Sequence, residues 1–374
     1  MASDVPAVDV IVGVHNGDRP IERAVRSVLA STVHVRVSVV AHNVGTDVIA
    51  RRLGELVDDP RVRILSLQDG VRSPANAFNR GLDAATGTYV AIVGSDDSLE
   101  AGALDAWVAL AERHAADAVI APIIRDGDHA VPTPRIRDRR RVRVLDADRD
   151  RVFERTAALG IQRRKTTDSL RYATGLPRGV DQEFGLRLWT TKRIVFDPAT
   201  PVYREHADQN DRVTHAFGPL IEDFAFLDGI ESAVAGLALP LRRAVVAKLV
   251  RVHLVPAVSN RARAKSLDTA DLDAADDILR RLSALAPGMQ RLLPRALRGD
   301  LAAIRHRSVA EAVDVTRRSR SRLTEVLPDD PWLFLHRHAP LRSLSAGRSV
   351  MRRTQIAYAA RRPQTTAPDD GGPR

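Results

Sequence analysis

The sequence predicts an α/β fold in which a mostly parallel sheet is covered by helices, followed by a helical C-terminal region. Residues 8–124 alternate compact apolar runs with amphipathic segments, and this alternation is typical of buried parallel strands joined by helices. From Phe217 onward, apolar residues recur at three- and four-residue intervals, which is the spacing of one helix face. A chain of 374 residues with 44% apolar side chains can bury the cores that two or three such units need.

The elements of the first region can be assigned in order along the chain. Compact apolar runs predict strands at 8–14, 35–41, 61–67, 88–93 and 118–124. Amphipathic segments predict helices at 19–30, from residue 46 onward, at 74–85 and at 99–114. Ser73 and Pro74 provide an N-cap and a first-turn proline for the third helix, and Ser98 provides a cap for the fourth.

The pattern breaks at residues 125–143, where proline, glycine and arginine predict an excursion from the sheet. The arginines of this segment are Arg135, Arg137, Arg139, Arg140, Arg141 and Arg143. Later elements are predicted as helices at 148–159 and 182–190, a strand at 193–196, and helices at 241–255, 269–286 and 300–326. The predicted divisions are one domain over 1–216 with halves 1–125 and 126–216, a helical region over 217–360 and a disordered tail over 361–374.

Polar residues follow three of the predicted strands. The clusters are His15-Asn16, His42-Asn43 and Asp96-Asp97. Because the carboxyl ends of parallel strands border a crevice where ligands bind, the three clusters predict one binding site. Adjacent carboxylates at such an edge suit a divalent cation that bridges the oxygens of a diphosphate. The alternative is that Asp96 and Asp97 only stabilise the positive end of a following helix.

Three stretches of the chain carry a resemblance to a known family. VIVGVHN at 10–16, SPANAFNRGL at 73–82 and AATGTYVAIVGSDD at 84–97 resemble the inverting glycosyltransferase family 2 in order and spacing. The resemblance implies the A-type glycosyltransferase fold, a nucleotide diphosphate sugar donor and a divalent metal, Mn²⁺ or Mg²⁺. The arrangement is similar to that of bacterial members that decorate wall teichoic acids or other surface polysaccharides. It therefore implies a polysaccharide, teichoic acid or lipid-linked acceptor.

The resemblance also implies roles for individual residues. The donor-binding positions are His15, Asn16, His42, Asn43, Asn79, Ser95 and Asp96, and the metal positions are Asp96, Asp97 and His206. Asp181 stands where family members carry the base that accepts the proton of the acceptor hydroxyl, and Glu183 is the fallback. Helix capping is the alternative for both acids, and an ordinary surface histidine is the alternative for His206.

Basic residues downstream add candidates for the diphosphate. Arg163 and Arg164 can neutralise it, because a guanidinium group binds phosphate through two hydrogen bonds. A solvated surface cluster is the alternative interpretation of these two arginines.

Two positions depart from the family pattern. His42-Asn43 stands where family members usually carry an acidic pair, so a carboxylate that would bind a uracil-type base is missing. Gly94 stands where an acid often reaches the ribose. We therefore expect a site that is intact for the phosphates and unusual for the nucleoside.

Composition limits the remaining possibilities. The absence of cysteine excludes disulfides, zinc-cysteine sites and thiol nucleophiles. The formal charge of +10 favours anionic partners, so a non-catalytic protein that holds an anionic polymer is the second hypothesis and a nucleic-acid-binding protein is the third. We expect no nucleic-acid partner, because no finger, basic zipper or aromatic RNA-binding signature accompanies the arginines.

Hydropathy predicts a cytoplasmic protein, since the sequence has no apolar signal core and no run of roughly 20 apolar residues. The predicted helix at 241–255 carries four basic residues beside a valine-leucine face. It is the candidate for peripheral contact with the inner membrane face, an acceptor or a partner subunit, and an ordinary packed helix is the alternative. Homo-oligomer formation stays open.

Overall fold

The computed structural model describes residues 5–136, 142–208 and 218–362. The first elements are β1 (Val8–Val14), α1 (Ile21–Leu29), β2 (Val35–His42), α2 (Thr46–Leu53), β3 (Val62–Leu67), α3 (Pro74–Ala84), β4 (Tyr89–Ile92), β5 (Ser98–Leu99) and α4 (Ala103–Arg113). They are followed by β6 (Ala118–Ile120), β7 (Ile123–Arg125), β8 (His129–Ala130), β9 (Val144–Leu145), β10 (Gly160–Arg163), α5 (Arg164–Thr167), α6 (Val180–Thr191), β11 (Ile194–Val195) and β12 (Tyr203–Glu205). Strands and helices alternate from β1 to α4, apart from the short β5, as predicted for this region.

The larger sheet has eight strands in the order β3-β2-β1-β4-β10-β6-β11-β9. Strands β3, β2, β1 and β4 are parallel, and Val8 of β1 pairs with both Val35 of β2 and Tyr89 of β4. β10 is antiparallel to β4 and to β6, so β6 and its parallel neighbour β11 run in the direction of β4. The predicted mostly parallel sheet is confirmed.

A second sheet of four strands has the order β5-β12-β7-β8. The strand predicted at 118–124 is divided between the two sheets, because β6 belongs to the first and β7 to the second. Pro122 lies between them and has no backbone N–H to continue a ladder, while its carbonyl accepts a hydrogen bond from the Tyr203 N–H at 2.8 Å. The small sheet thereby brings β12 next to the segment that follows Asp97.

Two predicted helices of this part are wrong in extent. Ser98 and Leu99 form β5 instead of starting a helix, and α4 begins after Gly102, whose φ of 75° suits glycine. The helix predicted at 148–159 is reduced to a 3₁₀ turn at Val152–Glu154. Asp150 explains this difference, since its buried carboxylate accepts hydrogen bonds from Arg143 and from the Asp146 N–H and so fixes a turn.

From Leu220 the described chain is helical. Its helices are α7 (Leu220–Asp223), α8 (Leu227–Ala235), α9 (Leu239–Leu249), a π turn (Val250–Leu254), α10 (Val255–Ala264), α11 (Thr269–Leu285), α12 (Arg298–His306), α13 (Val309–Arg317), α14 (Arg322–Val326) and α15 (Pro340–Arg361). The predicted helix 300–326 is divided into three, because Arg307 adopts a left-handed φ of 53° and Arg318 is extended. The helices from α7 to α13 share one apolar core.

The predicted helix 241–255 lies inside that core. Val246, Leu249 and Val250 are fully or almost fully buried, and Lys248 is only 5% exposed. Most of this segment is therefore an ordinary packed helix, the alternative interpretation. Val252 is an exposed apolar side chain in it, at 39%, and its membrane contact stays a prediction. None of the described helices combines the length and apolar character that a membrane crossing requires.

Helix α15 returns to the α/β part and forms a clasp on the small sheet. Tyr358 packs against Val202 beside β12, and the Arg361 guanidinium donates to both Glu100 carboxylate oxygens at 2.8 and 2.9 Å. Glu100 also accepts a hydrogen bond from the Val202 N–H at 2.8 Å. Helix thus extends into the tail predicted from residue 361, while residues 363–374 lie outside the described part of the chain.

Candidate active site

The carboxyl ends of four neighbouring parallel strands lie side by side at one edge of the large sheet. In the order of the sheet, β3 leads to Asp69, β2 to His42-Asn43, β1 to His15-Asn16 and β4 to Asp96-Asp97. The three predicted polar clusters therefore meet at one edge, as the strand pattern indicated. Side chains from loops that are distant in sequence can act on one ligand there.

Asp96 faces the first turns of α1. Its Oδ2 lies 3.0 Å from Nη1 of Arg19, and these side chains are only 13% and 7% exposed. The Arg23 guanidinium donates to the Asp96 carbonyl and also binds the Asp208 carboxylate at 2.7 Å. The loop after β4 is therefore held by Arg19, just before α1, and by Arg23 of α1, and it carries a mostly buried carboxylate beside a strong positive charge.

Asp97 points to the small sheet instead. Its Oδ2 accepts a hydrogen bond from the Tyr203 hydroxyl at 2.6 Å, and its Oδ1 accepts one from the His206 N–H at 3.2 Å. The same Tyr203 oxygen accepts from the Gly94 N–H at 2.8 Å. Burial raises the pKa of Asp97 to about 6, and the Tyr203 hydrogen bond offsets part of that effect. Asp97 thus fixes the loop to β12.

The raised pKa of Asp97 gives a stability prediction. Because the folded protein binds this proton more tightly than the unfolded chain, whose value is near 3.8, folding should lose stability as pH rises from about 4 to about 6. Relative to Asp97→Asn, the wild-type free energy of unfolding should fall by up to about 3 kcal/mol across this range, since one pKa unit is about 1.4 kcal/mol. Urea unfolding at several pH values measures the difference. A difference that stays constant with pH would refute the assignment.

The contacts of Asp97 explain why residue 94 is a glycine. A Cβ atom at residue 94 would lie 2.4 Å from Oδ2 of Asp97. An acid at this position would therefore require the Asp97 carboxylate to leave its contact with Tyr203. Glycine at position 94, where family members often carry an acid, therefore leaves the space that the Asp97 carboxylate occupies.

The end of the edge that follows β3 contains an acid that the sequence analysis missed. Asp69, at the end of β3, lies 2.8 Å from Nε2 of His42 and accepts a hydrogen bond from Asn76 at 2.6 Å. Asn43, at a left-handed φ of 57°, donates to the Val71 carbonyl and accepts from the Gly70 N–H. The Asn76 hydrogen bond and further donors hold the pKa of Asp69 well below its usual range. An ionised carboxylate is therefore present beside His42-Asn43, the pair that contains no acid of its own.

Asp181 lies in the first turn of α6. The C-terminal end of α6 leads to the amino end of β11, which runs in the direction of β4, so the first turn of α6 lies toward the edge that carries Asp96. Burial raises the pKa of Asp181, while its own N–H and the charge of Lys248 oppose the shift. A partly buried carboxylate with a raised pKa suits proton transfer near neutral pH. Glu183 instead accepts a hydrogen bond from Arg187 at 2.8 Å.

Three predicted donor residues have other surroundings. Arg163 pairs with Tyr89 at the amino end of β4 and donates to its hydroxyl, and Arg164 donates to the Gly87 carbonyl. Both arginines lie at the edge of the sheet opposite Asp96, because β10 is antiparallel to β4. The structure does not bring them to the diphosphate position. Both ends of the Asn79 amide bind the Tyr172 backbone, so its contact with a donor stays a prediction.

The remaining predicted residues lie on the expected edge. Ser95 is buried next to Asp96, and the Asn16 side chain accepts a hydrogen bond from the Asp18 N–H at 2.8 Å. His206 follows β12, and its Nε2 lies 2.9 Å from the Ser98 hydroxyl. Within residues 5–136, 142–208 and 218–362, no group of three His, Asp or Glu side chains is arranged to hold a metal ion. The roles of these residues toward donor and metal stay predictions.

Comparison with known sequences agrees with this geometry. Residues 9–175 match the profile of glycosyl transferase family 2. Over 98 residues, the chain is 38% identical to the succinoglycan biosynthesis protein ExoO of Rhizobium meliloti (strain 1021). That match spans 25% of this chain and 27% of ExoO, so the shared part is about a quarter of each protein.

Solved structures show the same fold over a longer part of the chain. Residues 1–349 of S. aureus TarS, in complex with UDP-GlcNAc, superimpose with a TM-score of 0.68 at 16% identity, covering 83% of this chain and 90% of that one. S. aureus TarS gives a TM-score of 0.65 at 16% identity, with 83% of this chain and 54% of that one covered. At this identity the similarity concerns the fold. Because it covers 83% of this chain, the aligned part includes helices that follow the α/β part. Residues 9–175 therefore belong to a glycosyl transferase family 2 domain, built on the A-type glycosyltransferase fold.

Proposed function

We propose that this protein transfers a sugar from a nucleotide diphosphate sugar to an acceptor hydroxyl, with inversion at the anomeric carbon. The observation that carries the proposal is the convergence of Asp69, Asp96 and the first turn of α6 on one edge of the sheet. In this proposal Asp69, after β3, contacts the nucleoside, and Asp96, after β4 three positions away in the sheet order, is on the side of the diphosphate. Asp181 would accept the proton of the acceptor hydroxyl as its oxygen attacks the anomeric carbon.

The described residues fit a divalent cation that is bound together with a diphosphate. Mg²⁺ usually binds through one or two carboxylates and substrate phosphates, so a three-ligand protein cage is not required. Asp96 would hold the cation, since its partly accessible carboxylate contacts Arg19 as its counter-charge. Asp97 would support Asp96 from the Tyr203 side. When bound, the cation would supply charge stabilisation of the diphosphate leaving group.

Arg19 has a distinct role in this proposal. Its guanidinium lies 3.0 Å from Asp96 and is almost completely buried, so it stabilises the carboxylate while no donor is bound. Arginine also binds phosphate oxygens through two parallel hydrogen bonds. Arg19 is therefore placed to exchange its Asp96 contact for the diphosphate when the donor and cation enter.

The acceptor is proposed from the relatives. ExoO is named for succinoglycan biosynthesis, and a sugar polymer of the cell surface is therefore the proposed acceptor class. The TarS structure contains UDP-GlcNAc, which makes a UDP-sugar the first donor to test. The proposed site of action is the cytoplasm, where nucleotide sugars are available to a protein without a membrane-crossing helix among its described residues.

A donor screen tests the proposed function directly. The full chain is incubated with UDP-, GDP- and TDP-sugars, with Mn²⁺, Mg²⁺ or a chelator, and thermal stabilisation and slow donor hydrolysis are measured. We expect one nucleotide class to raise the Tm and to be hydrolysed only when a divalent ion is present. If no donor is bound or hydrolysed with either ion, the enzyme proposal is wrong and the second hypothesis, a non-catalytic holder of an anionic polymer, replaces it.

Asp69 gives a prediction about nucleoside binding. Asp69→Asn removes an ionised acceptor that orients His42 and Asn76, so we expect the Kd of the bound nucleotide to rise about tenfold or more, as for the loss of one charged hydrogen bond. Calorimetric titration with the free nucleoside diphosphate measures this change. The matched control is Asp83→Asn, since Asp83 makes an exposed ion pair with Arg171 near the C-terminal end of α3. An equal Kd in wild type and Asp69→Asn would contradict the role.

A further inference from the structure

A cavity of about 310 Å³ lies between the family 2 domain and the helical region. One wall is the 3₁₀ turn that contains Phe153 and Glu154, the second is α9 with the following π turn, and the third is formed by residues 292–297 and the start of α15. Asp96 and Asp69 do not line this cavity. It is therefore separate from the strand edge where the donor is proposed to bind.

The lining of this cavity has a strong excess of positive charge. Its cationic side chains are Arg135, Arg151, Lys248, Arg251 and Arg320, and its carboxylates are Glu154 and Glu325. Like charges collected in a partly buried space repel one another unless an anion is present. The composition of the wall therefore favours an anionic ligand that carries more than one charge.

Each of these cations has a hydrogen-bond partner, and Arg151 donates to the carbonyls of Arg135 and Arg337. Arg251 donates to both oxygens of Glu154 at 2.7 Å, and although burial opposes ionisation, Arg251 and Arg135 hold the pKa of Glu154 at about 2. Arg320 binds Asp300. The hydrogen bonds of Lys248 and Arg135 go to the neutral hydroxyls of Thr156 and Ser343, each at 2.7 Å, and Nε of Arg135 lies 3.8 Å from the Glu154 carboxylate.

Lys248 is the central cation of this wall. It projects from the middle of α9 and is only 5% exposed, and a buried ammonium group is rare unless it has an anionic partner. Burial lowers the pKa of Lys248 to about 8, so the group still carries a positive charge at neutral pH. The charges of Glu154 and Asp181 favour the ammonium form of Lys248, but its hydrogen bond goes to Thr156, so Nζ, which has three donors, can still donate to an anion in the cavity.

The rest of the lining is apolar. Phe153, Leu292, Leu297 and Leu344 face the space together with small side chains of α9. Pockets of this volume hold small organic ligands, with apolar walls that enclose the carbon skeleton and a few polar groups that fix it. Four arginines and one lysine line a wall that is otherwise mostly apolar. This combination matches a phosphate group on a small organic body, because guanidinium and ammonium groups bind phosphate oxygens.

We propose that this cavity, defined by Arg135, Lys248 and the apolar side of α9, is a second binding site that takes a phosphate ester. The phosphate can come from a small free ester or from a phosphodiester unit of an anionic polymer, and both share the chemistry that the wall recognises. The proposal is tested by binding alone and so does not depend on sugar transfer, although the charge of Lys248 also acts on Asp181.

Calorimetric titration of the full chain tests the proposal, with inorganic phosphate, glycerol 3-phosphate and a glycerol-phosphate oligomer as probes and glycerol as the neutral reference. Two variants alter the cavity in different ways. Lys248→Met removes the charge at similar size, and Ala247→Phe fills the space while all charges remain. The control Arg352→Gln removes one exposed charge from α15, outside the cavity. Thermal melting confirms that each variant is folded.

We expect a phosphate-bearing probe to bind, and we expect both cavity variants to raise its Kd about tenfold or more, as for a lost charged hydrogen bond, with Arg352→Gln unchanged. Binding of glycerol 3-phosphate supports a free ester, and binding of the oligomer alone supports a polymer unit. The site assignment is overturned if no probe binds, or if the affinity is the same in wild type and both variants. If Lys248→Met does not fold, Ala247→Phe decides alone.

Discussion

Asp96→Asn is expected to lower kcat/KM for sugar transfer on the order of a thousandfold, because charge stabilisation through a metal-holding carboxylate is worth several kcal/mol and each 1.4 kcal/mol is tenfold. The carboxylate pairs with Arg19 in the loop after β4, and the substitution removes its charge at nearly unchanged size. Stabilisation by Mn²⁺ and donor should disappear together. Initial rates at several Mn²⁺ concentrations measure both effects.

Two further variants separate the metal role from the contact with Arg19. Asp58→Asn removes an exposed carboxylate from a distant 3₁₀ turn and should keep the parent rate. Arg19→Gln combined with Asp96→Asn tests whether activity is lost only because the Arg19 charge has lost its partner at 3.0 Å. If this double variant regains the parent rate, Asp96 serves only to neutralise Arg19 and the cation assignment is wrong.

Asp181→Asn is expected to lower kcat by about a hundred- to ten-thousandfold, the usual contribution of a general base, with little change in donor affinity. Because burial raises the pKa of Asp181, the wild-type rate should increase with pH as this carboxyl ionises, and the residual rate of the variant should lack that step. The same raised pKa means that ionisation of Asp181 costs folding stability as pH rises above its unfolded value. The variant should therefore be at least as stable as wild type at pH 7.

Glu183→Gln is the matched comparison for this prediction. Glu183 lies one half-turn further along α6 and binds Arg187 at 2.8 Å, so its replacement should change the rate only slightly. Single-turnover measurements with saturating donor separate the chemical step from binding. If Asp181→Asn transfers sugar at the parent rate while Glu183→Gln does not, the base is Glu183.

The parallel part of the fold was predictable because its signals are local. Strands β1 to β4 are each a short apolar run, and their order in the chain already places the polar clusters at residues 42–43 and 96–97 on one edge. The wrong placement of Arg163 and Arg164 has an equally clear cause. β10 runs antiparallel to β4, and a four-residue strand gives no sequence signal of its direction.

The contacts within the site could not be read from the sequence, because they join distant segments. Tyr203 binds Asp97 across more than a hundred residues, and Arg19 binds Asp96 from the segment just before the first helix. Asp69 was overlooked because it follows an apolar run as a single acid, although its position after β3 is equivalent to the positions that were recognised. A search for single acids after each predicted parallel strand would have identified Asp69.

The clasp formed by α15 is the last part of the described structure to be synthesised. Asp96, Asp97 and β12 leave the ribosome long before Arg361, yet Arg361 is the residue that binds both oxygens of Glu100 beside β5. We therefore expect a nascent chain that stops before residue 361 to contain every acid of the site but to lack the Arg361–Glu100 contact beside β5. The small sheet would then gain this support only after α15 has been translated.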